Sequence, residues 1–87
     1  MFLREVLHMA RRFGASTAAQ AAVYLGLPLD EATRRLDKAV EGGLLKAVDV
    51  AGVRFYYRDP AEAADVILGS VDLSVLPRAE REKLMRL

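Results

Sequence analysis

The chain has 87 residues, 53% of them apolar, with 13 Lys and Arg against 12 Asp and Glu, for a net charge of +1. That length sets one domain as the expectation, with a thin core that hides roughly 60–65% of the surface of the unfolded chain. The absence of cysteine excludes disulfides and thiolate metal centres, and no apolar run of about 18 residues marks a membrane span.

Phe2, Leu3, Val6, Leu7, Ala10 and Phe13 recur at helical spacing and predict helix 1 over 2–13. Arg4, Glu5, Arg11 and Arg12 interrupt the apolar pattern, so this start does not read as a signal peptide. Gly14 stands where a left-handed residue closes a helix. Thr17 with Gln20 makes a capping box for helix 2, over 17–25, which Gly26 stops. Pro28 precedes helix 3, over 29–42, and Asp30 and Glu31 in its first turn suit the positive end of the helix dipole. Ala32, Leu36, Ala39, Val40 and Gly43 share its inner face, and Gly42-Gly43 end it.

Two β-branched and aromatic stretches flank Ala51-Gly52, a turn suited to a tight hairpin with strands at 45–50 and 53–58. Tyr56 and Tyr57 alternate faces, so at most one is expected in the core. Asp59-Pro60 caps helix 4, over 60–69. A connector over 69–76 leads to a charge-dense last helix from Pro77. The organisation predicted is thus a unit over 1–59 and a helical extension over 60–87.

The order helix, turn, helix, hairpin is that of a helix-turn-helix followed by a wing. The stretch "LGLPLDEATRRLDKAVEGGLL" has a short loop, a helix with Leu at its centre, then Gly and two apolar residues. "VRFYYRD" follows a Gly-bearing turn. On these stretches residues 2–58, about two thirds of the chain, resemble a winged helix-turn-helix domain of bacterial and archaeal transcription regulators. The resemblance implies an α+β, mainly α fold: a three-helix core, a two-stranded wing and added C-terminal helices. It implies a protein that binds double-stranded DNA as a homodimer through its terminal helices, and the absence of cysteine fits a cytoplasmic setting.

The residues expected to touch DNA are Thr17, then Thr33, Arg34, Arg35 and Lys38 on helix 3, and Lys46, Arg54 and Arg58 on the hairpin. Pro28 departs from the family, which often has Ser or Thr there. Residues 30–41 carry Arg34, Arg35 and Lys38 against Asp30, Glu31, Asp37 and Glu41, one net negative charge. Asp30 is expected to pair with Arg34 and Glu31 with Arg35, both at i,i+4 spacing.

That charge, with the apolar surplus of both ends, motivates a competing reading: a protein-interaction module inside a larger assembly. The tail over 60–87 has two readings as well, a dimer interface or a lid on its own chain. His8, the single histidine, has no partners for a metal site and is expected to be a partly buried helix residue. No nucleophile-and-base grouping or Gly-rich phosphate loop is present in the sequence, so neither an enzyme nor a cofactor is expected. Asn is absent and Gln20 is the single Gln, which fits a thermophile or GC-rich codon usage equally.

Overall fold

The structure, a computed structural model, describes residues 2–87, except for the side chains of Phe2, Leu3 and Leu73. The apolar roles expected of those three side chains lie outside the described residues. The fold is mainly helical α+β. In chain order it has α1 (Phe2–Phe13), β1 (Ala15–Ser16), α2 (Ala18–Leu25), α3 (Leu29–Glu41), β2 (Lys46–Val50), β3 (Val53–Tyr57), α4 (Pro60–Ser70), a 3-10 turn (Leu73–Val75) and α5 (Arg78–Met85).

The expected caps explain the boundaries. Gly14 takes φ 75°, and its N–H donates to Ala10 O at 3.0 Å. Thr17 Oγ1 accepts from Gln20 N at 3.2 Å and starts α2. At the end of α2, Leu27 N donates to Ala22 O at 2.9 Å around left-handed Gly26. The end of α3 repeats this device: Leu44 N donates to Ala39 O at 2.9 Å, and Gly43 has φ 78°. Both are Schellman closures, which satisfy carbonyls that a helix end leaves open. Gly43 therefore lies beyond α3 and is exposed, not on its inner face as the pattern predicts. Asp59 caps α4 by accepting from Ala61 N at 2.9 Å.

The sheet is antiparallel in the order β1-β3-β2. Sequence reasoning misses β1, because a strand of 2 residues has no periodicity to detect. Its pairing with Tyr56 and Tyr57 makes β3 the central strand. Gly14, just before β1, is also a packing site: a Cβ there would lie 2.9 Å from Val66 Cγ2 of α4.

Two cores form, one on each face of β3. On the first face Tyr56 packs with Val6 and Met9 of α1, Ala21 of α2, and Ala32 and Leu36 of α3. On the second, Phe55 and Tyr57 pack with Val50, with Ala63 and Ile67 of α4, and with Leu76 and Leu84. The expectation of at most one core tyrosine is corrected: both are buried. The alternation is real, but α4 and α5 cover the face that the sequence leaves open. Ile67, Leu76 and Leu84 are buried in this chain, so much of the tail's apolar surplus is internal, while Leu68, Val75 and Met85 remain exposed.

Ile67 is fully buried. Ile67→Ala is expected to cost about 2–5 kcal/mol of global stability, read as a lowered urea midpoint in one cooperative transition. A loss under about 0.5 kcal/mol would show that α4 only decorates the surface.

Candidate nucleic-acid interface

Helix α3 follows α2 after the turn 26–28, and amphipathic patterning orients it. Ala32, Leu36 and Ala39 are buried, while Asp30, Arg34, Lys38 and Glu41 are exposed. Pro28 makes no side-chain cap bond, so the start of α3 relies on its backbone: Pro28 O accepts from Ala32 N at 3.0 Å.

Glu31 organises the outer face. Its Oε1 lies 2.6 Å from Arg34 Nη2 and 3.0 Å from Arg35 Nε. The expected Asp30–Arg34 pair gives way to this three-residue cluster. Residues at i+3 and i+4 both lie over position i, and the longer glutamate stem reaches both guanidinium groups. Bonds from Arg34 first, then Arg35, hold the Glu31 carboxyl below its ordinary 4.5, and Glu31 in turn raises Arg34. Thr33 Oγ1 donates to Leu29 O at 2.9 Å, so its proton is engaged within the helix. A phosphate oxygen only accepts, so Thr33 would have to release that bond to touch one.

Asp37 turns the other way. It accepts from the Tyr56 hydroxyl at 2.6 Å and so ties α3 to the central strand. Burial, then the bond to Asp37, pushes the Tyr56 phenol up to about 12. On the hairpin, Arg54 lies opposite Asp49, with Nε 2.9 Å from Oδ1 and Nη2 3.3 Å from Oδ2. The bond from Arg54 is the main cause holding the Asp49 carboxyl below its ordinary range. Lys46 pairs in register with Tyr57 at the open end of the hairpin, where Arg58 follows, while Arg54 sits one pair from the tip. The hairpin cations are thus split between its two ends.

None of the ion pairs among the described residues includes Lys38, Lys46 or Arg58, and all three are exposed. Thr17 serves as the cap of α2 and is half-buried. The structure therefore gathers Arg34 and Arg35 at Glu31, with Lys38 one turn further along α3. Arg54, held by Asp49 on the hairpin, lies beside the Tyr56 hydroxyl that bonds Asp37 of α3.

Sequence reasoning misses two contributors. Glu80 Oε2 accepts from the tip N–H of Ala51 at 3.2 Å, and Lys83 Nζ donates to Asp49 O at 3.0 Å. Both come from α5, and no local pattern pairs a distant helix with a turn. The reach of Glu31 to Arg34, by contrast, is an i,i+3 contact that the spacing could have shown.

His8 is exposed, which corrects the expectation of partial burial. It stacks near Tyr24, with ring centroids 6.5 Å apart, beside an open groove of about 470 Å³ bounded by Arg4, Glu5, Tyr24 and Leu25. The end of α2 leaves this side of α1 uncovered. Among the described residues no helix is long and apolar enough to cross a membrane.

No family model, no curated protein and no solved structure matches this chain.

The shifted groups set two pH limits. Glu31 and Asp49 ionise more readily folded than unfolded, so their support is present above the unfolded values, ordinarily 4.5 and 3.8. It is lost as pH falls through the lowered folded values. Glu31→Gln is expected to flatten the acid limb of stability below about pH 4.5, measured as urea midpoint against pH. Tyr56 has the opposite sign: its neutral form is favoured, so its support holds below the ordinary 10 and is lost as pH rises through about 12. Tyr56→Phe is expected to remove the late phenolate step in ultraviolet absorbance. It should also cost about 1–3 kcal/mol near neutral pH, because it deprives Asp37 of its donor.

Proposed function

We propose that this chain is a winged-helix DNA-binding protein, a transcription regulator whose helix α3 enters the major groove while the β2–β3 hairpin serves as a wing. One observation carries the reading: α3 presents Arg34 and Lys38 on an exposed face directly after the turn 26–28, with a hairpin directly following. In a helix-turn-helix the second helix contacts base edges, and its neighbours hold the backbone. The Tyr56–Asp37 bond supports this use, because it joins α3 to the hairpin so that they dock as one piece.

Affinity then rests on Lys38, Lys46 and Arg58, with Arg34 and Arg35 partly neutralised by Glu31. About three to five phosphate contacts per chain give a salt slope near −2.7 to −4.5. Action as a homodimer through the terminal helices would use Leu68, Val75 and Met85, the tail residues left exposed. It would set two copies of α3 about 34 Å apart along the duplex.

A second reading, a protein-interaction module, is favoured by Val23 and Leu29. These apolar side chains flank the turn 26–28 and are 85% and 57% exposed. A partner covering them would be retained by Arg34→Glu, whereas a DNA complex would not.

Fluorescence anisotropy with a pool of random-sequence duplexes tests the proposal. Binding is expected at about 50 mM KCl and should weaken about 40- to 500-fold at about 200 mM. Arg34→Glu should weaken it further. Absence of duplex binding at the lower salt would overturn the proposal.

A further inference from the structure

The geometry of Arg34 is more specific than its charge. Its Nε donates to Glu31 Oε2 at 3.1 Å, and its Nη2 lies 2.6 Å from each of Oε1 and Oε2. None of these bonds uses Nη1. A guanidinium carries five N–H donors in one plane. Glu31 therefore takes the Nε/Nη2 edge and leaves the Nη1/Nη2 edge. That remaining edge is a two-donor fork of the kind that matches O6 and N7 of guanine in the major groove. The side chain is 61% exposed, whereas Glu31 beneath it is 27% exposed.

We infer that Glu31 is a positioning residue that fixes Arg34 to read one guanine end-on. The inference rests on the DNA-binding reading above. An unheld arginine samples many rotamers and meets phosphates of any sequence. Held at one edge, Arg34 is pre-organised, so less side-chain entropy is lost when the base is contacted. The same carboxylate faces Arg35 Nε at 3.0 Å and offsets both positive charges toward the phosphate backbone. Glu31 thus lowers sequence-independent affinity while sharpening the preference for guanine. On this reading the acidic residue that weakens α3 as a general DNA-binding helix makes it selective.

The test uses the full chain and a pool of short duplexes randomised at their centre. Selection with wild type is followed by anisotropy titration of the enriched duplex, of single-base variants and of a scrambled duplex. Wild type is expected to prefer guanine at one position by about 5- to 150-fold, and Arg34→Ala to abolish that preference. Glu31→Gln keeps the side-chain shape but removes the charge and one acceptor oxygen. It should reduce the guanine preference to within about threefold, tighten binding to the scrambled duplex and steepen the salt slope by about one to two.

Glu41→Gln removes an exposed negative charge elsewhere on α3 and serves as the charge control. It should tighten scrambled binding with the guanine preference intact. Thermal melts by circular dichroism confirm that each variant is folded. Full guanine preference in Glu31→Gln, or a wild-type guanine position indifferent to Arg34→Ala, overturns the role of Glu31 and leaves DNA binding standing. A wild type that binds no duplex in the pool overturns both.

Discussion

Strand β3 has apolar or aromatic side chains on both faces, and the rest of the molecule answers to that constraint. A small sheet with one wet face needs one helical layer, whereas a central strand bearing Phe55, Tyr56 and Tyr57 needs two. The three N-terminal helices supply the first layer. The second comes from α4, Leu76 and α5. The buried aromatic rings are the largest single contributions to each core. The Tyr56 hydroxyl adds a direction to this packing, because it finds its acceptor on α3, at Asp37. The position of α3 relative to the hairpin is thus set by a buried ring and a charged hydrogen bond together.

The surface charges follow a different rule. Arg34, Arg35 and Arg54 each face a carboxylate held at hydrogen-bond distance, either on the same helix or across the hairpin. Exposed pairs of this kind contribute little to stability. Their weight lies elsewhere, in where each guanidinium points and how much positive potential reaches solvent. Lys38, Lys46 and Arg58 stand outside these pairs and supply charge without direction. Direction and charge therefore reside in different residues.

The hairpin tip shows how a turn can be held without being buried. Ala51 and Gly52 both have positive φ, 53° and 79°, as a tight hairpin turn requires. For Ala51 this conformation is disfavoured by its Cβ. Glu80 accepts from the Ala51 N–H, and Lys83 donates to Asp49 O, so α5 holds the backbone where β2 enters the turn. An unsupported hairpin would flex about its base, whereas this one is held at its turn by α5.

Much of the fold was legible because its signals are local. The helix spans, the Thr17 and Asp59 caps, the closures at Gly14 and Gly26, and the hairpin turn depend on residues within about five positions of one another. So does the convergence of Arg34 and Arg35 on Glu31, although the spacing equally allowed Asp30 to take Arg34. Tertiary structure decided what depends on distant partners. Tyr56 meets Asp37 across 19 positions, Glu80 meets Ala51 across 29 and Lys83 meets Asp49 across 34. Strand β1 exists only because β3 passes beside it, and Tyr57 is buried as well as Tyr56 only because the tail returns over the sheet. Periodicity shows that a side chain is apolar and which face it takes, but the element that covers that face is chosen by the chain as a whole.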